Sequence, residues 1–320
     1  MWPHNLPHPL LVVIGPTAVG KTELALQLAE RLGGEIVSAD SRLFYRGMDI
    51  GTAKPTASEQ ARVPHHLIDV AEPDQVWSLA TFQQAAKRAI VDIQSRGRLP
   101  LLVGGTGQYV RAVLQDWELP EQEPDDGLRT ALERWAAEIG PYGLHARLAV
   151  LDAPAAGFID SRNVRRTIRA LEVVLRTGRR FSDQRQRSTS PYSVFQVGLT
   201  RPRVELYERV DQRIDAMLAA GFLDEVRALL EKGYSPALPT MSAIGYREMV
   251  AYLRGEMSLD AAVAQMKRLT RRFVRHQGAW FREEDEQIHW FEVGPSTLDQ
   301  VLVAAQAEAN WLPAGTQIGE

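Results

Sequence analysis

Residues 10–32 read LLVVIGPTAVGKTELALQLAERL, and the fold class follows from them. Leu10 to Ile14 are consecutive apolar residues, the pattern of a buried strand. Leu24, Leu26, Leu28 and Leu32, set among Ala and Glu, read as a helix packed on a sheet. Between them, Gly15-Pro16-Thr17-Ala18-Val19-Gly20-Lys21-Thr22 fits the phosphate-loop pattern G-x-x-x-x-G-K-[ST]. Its two glycines let the backbone curl until successive N–H groups point inward at an anion, and the helix N-terminus adds partial positive charge. Lys21 can reach terminal phosphates and the Thr22 hydroxyl can ligate Mg2+. A di- or triphosphate is expected here. Such loops serve kinases, ATPases, GTPases and some transferases alike, so the rest of the chain must decide the reaction.

Composition narrows the classes. The 320 residues are enough for one large or two ordinary domains, and 45% hydrophobic with 24% charged residues is a globular balance. With no cysteine, disulfides, thiolate metal sites and cysteine nucleophiles are excluded. The N-terminal MWPHNLPHPLLVVIG lacks a basic n-region, and no apolar run reaches membrane-spanning length. A soluble, cytoplasmic protein without a membrane partner is expected, working as a monomer. The net charge of −3 hides two basic stretches. Arginines 162, 165, 166, 169, 176, 179, 180, 185 and 187 face only Glu172 and Asp183, and Lys267–Arg282 carries Lys267, Arg268, Arg271, Arg272, Arg275 and Arg282 without an acid. Two readings stand: a polyanion partner, or solvated helix faces paired with the acidic clusters at Glu118–Asp126 and Glu283–Glu286.

Along the chain, Gly33-Gly34 ends the first helix, and Glu35 to Asp40 reads as a strand delivering Asp40 at its carboxyl end. In parallel α/β sheets, ligands sit beyond those ends, so Asp40 and the phosphate loop should share a crevice. Ser41–Pro55 reads as a loop over it. His65-His66 could suggest a metal, but adjacent strand side chains point to opposite faces. A helix over Leu79–Ser95 leads to the strand Leu99–Val103 and then Gly104-Gly105-Thr106-Gly107, where many phosphate-loop nucleotidases carry a metal-holding acid. From Gln115 to about Tyr192 the βα rhythm breaks into helices over Gly127–Glu138, Leu144–Leu151 and Arg165–Arg176. The strand Val194–Thr200, helices Arg203–Ala220 and Leu223–Lys232, a helix ending at Leu253 and a long helix Ser258–Phe281 follow. On the last, Val263, Met266, Thr270, Phe273, Gln277 and Trp280 keep a three-four spacing, with Trp280 read as core rather than a base-stacking platform. A strand at His289–Glu292 and a helix over Ser296–Trp311 close the chain. The expected organisation is a discontinuous α/β core, 10–115 and 193–312, a helical insertion, 116–192, and disordered tails, 1–9 and 313–320.

Gly15–Thr22, Asp40-Ser-Arg-Leu-Phe-Tyr-Arg-Gly-Met-Asp-Ile-Gly-Thr-Ala-Lys-Pro55, Gly104-Gly-Thr-Gly, Arg169-Ala-Leu-Glu-Val173, Ser242-Ala-Ile-Gly-Tyr246 and Gln277-Gly-Ala-Trp-Phe-Arg282 together resemble the bacterial tRNA dimethylallyltransferases, in register from about residue 10 to 290. The resemblance implies a P-loop NTPase-like parallel sheet with an all-helical insertion. It also implies transfer of a dimethylallyl group from dimethylallyl diphosphate to the exocyclic amine of adenosine 37 in tRNA, releasing pyrophosphate with Mg2+. By resemblance, Gly15 to Thr22 hold the diphosphate, with Thr22 on the metal, Asp40 accepts the amine proton, Thr106 orients the adenine, and Lys21 and Arg213 stabilise the leaving group. Contacts to tRNA are implied for Asp40, Ser41, Arg42, Leu43, Thr106, Arg129, Arg165, Arg166, Thr167, Ile168, Arg169, Ser242, Ala243, Ile244, Gly245, Tyr246 and Arg247. The second basic stretch, with Arg275 and Gln277, is expected to join them.

The chain departs from the family pattern at Leu43, where Gln is usual, at Asn163, where Asp is usual, at Arg275-His276-Gln277 and at Gln108. These bear on RNA contact and not on the phosphate loop, Asp40 or Thr106. Two other readings compete with prenyl transfer: a phosphoryl-transfer enzyme using ATP, and a non-catalytic RNA-binding protein. Asp40 as a helix cap or metal ligand only, and Arg213 as a surface helix residue, are the structural alternatives.

Overall fold

The computed structural model describes residues 8–117, 119, 125–183, 190–278, 280–281, 285–308 and 311. The expected tails, apart from His8 and Pro9, lie outside these residues, as do Arg185, Arg187, Arg282 and most of the acidic cluster at 118–124. Contacts divide the chain into two compact units, one of 1–78, 82–114 and 190–320, the other of 79–81 and 115–189.

The first unit is built on six parallel strands in the order β3-β2-β4-β1-β5-β6. They are β1 (Pro9–Ile14), β2 (Gly34–Ser38), β3 (His65–His66), β4 (Leu99–Gly104), β5 (Ser193–Thr200) and β6 (Ile288–Glu292). β1 starts at Pro9, inside the stretch expected to be a tail, because Pro9 pairs with Ser193 of β5. Leu10 to Ile14 are wholly buried, covered by Leu24, Ala25, Leu26 and Leu28 of α1 (Lys21–Leu32) among others. Each such side chain contributes about 1.5–3 kcal/mol of transfer free energy. Helix α1 ends at Gly33, whose φ of 63° is left-handed backbone that glycine adopts freely.

Register fixes the crevice. Ile14 lies beside Gly104, and Val103 beside Ser38, so Gly15, Gly105 and Ala39 leave the sheet at one level. Helices α2 (Ala57–Arg62), α3 (Leu79–Ser95) and α4 (Gly107–Leu114) follow in order. Phe82 of α3 and Tyr109 of α4 stack at 4.5 Å, and Phe44 stacks on both. The loop Ser41–Pro55 is therefore anchored from below.

The second unit packs α5 (Asp126–Leu151), α6 (Ala153–Phe158) and α7 (Val164–Thr177) around Leu132, Leu144, Leu148, Ile159, Ile168 and Leu171. α5 bends at Gly140, φ 74°, just before Pro141, which is why its sequence reads as two helices. The expectation passed over α6, a short helix started by the Asp152 side chain on the Ala155 amide. Asn163 caps α7 by accepting from the Arg166 amide at 3.1 Å, so at this departure the amide serves as an aspartate would.

After β5 the first unit continues with α8 (Arg203–Ala219), α9 (Phe222–Glu231), α10 (Tyr246–Leu253), α11 (Leu259–Gln277) and α12 (Thr297–Ala307). α11 stops at Gln277, not Phe281. Its buried face is Ala262, Met266, Val274 and Gln277, whereas Trp280, read as core, is among the exposed large side chains, as is Phe273. Trp280 leaves the helical phase once α11 has ended.

Candidate active site

The phosphate loop is wound by three left-handed residues, Gly15 (φ 150°), Ala18 (φ 66°) and Gly20 (φ 116°). A side chain on Gly15 would put its Cβ 2.8 Å from the Leu199 carbonyl oxygen, so glycine is required there by contact as well as by conformation. Lys21, the first residue of α1, folds over the loop and donates from Nζ to the carbonyls of Gly15 at 3.0 Å and Pro16 at 2.8 Å. Burial lowers its pKa to about 8; the nearby Asp40 carboxylate opposes that shift and the Arg213 guanidinium adds to it. Arg213, on α8, is likewise lowered by burial and supported by Asp40. Lys21, Asp40 and Arg213 therefore share one electrostatic neighbourhood, and Arg213 is not a free surface residue.

Asp40 follows β2. Its Oδ1 accepts from the Arg42 amide at 3.0 Å, which turns the chain into the loop and holds the carboxyl at the strand end. Thr106 sits on the neighbouring strand end, just before α4, and its carbonyl accepts from Tyr109 and Val110. A Cβ on Gly105 would lie 2.6 Å from Gln277 Nε2, 3.2 Å from the Gly15 oxygen and 3.5 Å from Lys21 Nζ. Three segments meet at a point that only a glycine leaves open.

Gln277, expected among the RNA contacts, has a buried side chain that is held by the site itself: Oε1 accepts from the Thr17 amide at 2.9 Å and Nε2 donates to the Gly105 carbonyl at 3.2 Å. Two residues that pattern reading missed also hold the loop. Arg201 donates from Nε to the Val19 carbonyl, and Arg209 of α8 to the Ala18 carbonyl. Arg209 stands one turn before Arg213 on the same helix face, a spacing that could have flagged it.

The loop over the crevice is stapled rather than loose. The Glu225 carboxylate accepts the amides of Asp49, Ile50 and Gly51 and the Tyr246 hydroxyl. Lys54 donates to the Tyr45 carbonyl and pairs with Asp49 and Asp69. Ser41, Arg42 and Leu43 are half-buried at its start.

The remaining residues expected to meet RNA fall into classes. Thr167, Ile168, Ala243 and Tyr246 turn their side chains inward, so any RNA contact there falls to their backbones. In the helical unit, Arg129 and Arg169 both bind the fully buried Glu172, Arg129 with two hydrogen bonds of 3.0 Å. Arg165 is exposed, and Arg166 lies over the Phe158 ring at 5.6 Å. Ser242 donates to the Pro239 carbonyl, Gly245 donates its amide to the buried Glu248, Arg247 pairs with Glu248, and Ile244 is half-buried. On α11, Lys267 pairs with Asp215 and Arg271 with Asp211, while Arg268, Arg272 and Arg275 have no ion pair among the described residues.

His65 and His66 contact Val63 and Glu35 separately, and among the described residues no three His, Asp or Glu side chains gather as a metal cage. Thr22 is exposed at the first turn of α1. One hydroxyl beside a phosphate cradle fits Mg2+, which keeps waters and takes substrate phosphate oxygens in place of an all-protein cage. No described helix is long and apolar enough to cross a membrane.

A parallel sheet with a phosphate loop after its central strand, an α8 whose Arg209 holds that loop and a carboxylate at the next strand end defines a P-loop-type α/β enzyme. The family model "IPP transferase" matches residues 43–284, and the chain belongs to that family. A tRNA dimethylallyltransferase of Roseiflexus sp. (strain RS-1) is 56% identical over 274 residues, 86% of this chain and 90% of that protein. The crystal structure of the full-length tRNA isopentenylpyrophosphate transferase of Bacillus halodurans is similar with a TM-score of 0.70 and 41% identity, covering 95% of this chain and 96% of the other. A eukaryotic dimethylallyltransferase captured acting on tRNA is similar with a TM-score of 0.78 and 25% identity, over 93% of this chain and 78% of the other.

Proposed function

We propose that this protein transfers a dimethylallyl group from dimethylallyl diphosphate to the exocyclic amine of adenosine 37 in tRNA. The supporting observation is the shared neighbourhood of Lys21, Asp40 and Arg213 at the carboxyl ends of β1 and β2, with Thr106 ending the strand between them. The loop amides, Lys21 and Arg213 bind the diphosphate, which is the leaving group. Mg2+ held at Thr22 would neutralise charge that builds on the departing pyrophosphate.

The acceptor amine is a poor nucleophile because its lone pair is delocalised into the purine. Asp40 accepts its proton as the nitrogen–carbon bond forms and the carbon–oxygen bond to diphosphate breaks. Thr106 orients the base. The adenine must leave its stack to reach this crevice, at a cost of a few kcal/mol, and backbone contacts from exposed arginines such as Arg165 and Arg275 offset it.

Incubation with dimethylallyl diphosphate, Mg2+ and unmodified tRNA is expected to yield isopentenyladenosine by nucleoside mass spectrometry. Turnover of ATP without that product would overturn the proposal in favour of phosphoryl transfer. Binding of tRNA with neither reaction would leave a non-catalytic RNA binder.

A further inference from the structure

The side chain of Gln277 is a buried polar group that joins the phosphate loop to the Gly104–Gly107 turn through its own two ends. Its acceptor end holds the Thr17 amide, and its donor end holds the Gly105 carbonyl, next to Thr106. The chain just beyond reinforces the second attachment. Trp280 packs so closely on Gly107 that a Cβ there would lie 2.4 Å from its own, and Arg111 donates to the Trp280 carbonyl while its guanidinium sits 5.9 Å from the Trp280 ring centre. The end of α11 is thus docked on the adenine-side turn, and Gln277 extends from that dock to the diphosphate-side loop.

Nothing in the transfer chemistry needs an uncharged amide there. Geometry does. Transfer requires the allylic carbon to lie between a leaving oxygen held at the loop and an amine held near Thr106 and Asp40. The separation of the two turns sets that distance.

We infer that Gln277 is a positioning residue for prenyl transfer, whose amide fixes the phosphate loop at Thr17 against the Gly105–Thr106 turn and so aligns leaving group and acceptor. The inference rests on the function proposed above. A displacement of 1 Å at a reacting centre can cost about 100-fold in rate, so a single bridging amide has leverage out of proportion to its contacts.

Gln277→Met keeps length and burial but removes both hydrogen bonds. The expected result is a kcat lower by about 10- to 100-fold, with the KM for tRNA unchanged within about twofold. A rise in the KM for tRNA at unchanged kcat would make Gln277 an RNA contact and overturn the inference, and so would wild-type values of both. Gln277→Glu keeps the oxygen facing Thr17 but sets a charged acceptor against the Gly105 carbonyl, so at saturating donor it too is expected to lower kcat with the KM for tRNA unchanged within about twofold. It carries the test if the Met variant does not fold, and wild-type kcat in it would overturn the inference. Absence of isopentenyladenosine with the wild-type protein defeats the proposed function itself, whereas transfer by wild type with unaltered variant kinetics defeats this inference alone.

Discussion

Arg209 donates its Nε proton to the carbonyl oxygen of Ala18 at 2.8 Å, across a sequence separation of 191 residues. Ala18 is the left-handed residue at the crest of the phosphate loop, so α8 holds the loop where its backbone is most strained. Arg201 repeats the contact at Val19. Arg209→Ala is expected to raise the dissociation constant for inorganic pyrophosphate about tenfold, read by calorimetry, with little change in melting temperature. Arg209→Lys should rescue little of it, because a lysine lacks the fixed fork that reaches the carbonyl.

Lys21 sets a pH dependence. Its folded pKa of about 8 lies below the ordinary 10.5, so the cost of burying the ammonium is present in full below pH 8. It disappears as pH rises from 8 to 10.5, which stabilises the ligand-free fold across that window. A bound diphosphate favours the charged form, so binding at pH 8 should take up roughly half a proton. Calorimetry in buffers of different ionisation enthalpy measures this. Proton release on binding would show that Lys21 does not carry the linkage.

Glu225 draws three successive amides and a phenol onto one carboxylate. Glu225→Ala strands those donors, and a loss of about 2–3 kcal/mol in denaturant unfolding is expected. Transfer should also slow, because the stapled loop begins at Asp40. An unfolding midpoint equal to that of wild type would show the staple to be idle.

The arginines of the helical unit should separate by role. Neutralising Arg165 and Arg166 is expected to lower the slope of log affinity for tRNA against log salt by about 1–2, with stability unchanged. Arg129→Ala leaves one partner of the buried Glu172 missing, and a loss of about 3 kcal/mol is expected. If both substitutions changed only the salt slope, the ion pair would be dispensable to the fold.

Legibility in the sequence follows the range of the interaction. The phosphate loop, the strand carrying Asp40 and the Gly104–Gly107 turn are local patterns of apolar run, glycine and polar residue, and all three stand at strand ends in the structure. The roles of Gln277, Arg209 and Glu225 depend on contacts across 172 to 260 residues, which no local period encodes. The basic stretches read as uniform charge, yet Arg169 is paired with Glu172 one turn along α7, and Lys267 and Arg271 are drawn into ion pairs by acids of α8. The three-four spacing does not predict the exposure of Trp280, because it runs past the end of α11 at Gln277.

The bare Cα of Gly105 also bears on what this fold can become. Many nucleotide-hydrolysing relatives of the phosphate-loop architecture place a metal-holding acid on such a strand end. Here any side chain at 105 meets Gln277 Nε2 at 2.6 Å before it could reach a cation. An acid at 105 would have to push the Gln277 amide off the Gly105 carbonyl, so gaining it would undo the bridge to the loop. In this fold a metal-holding acid on that strand end and the Gln277 bridge compete for one space.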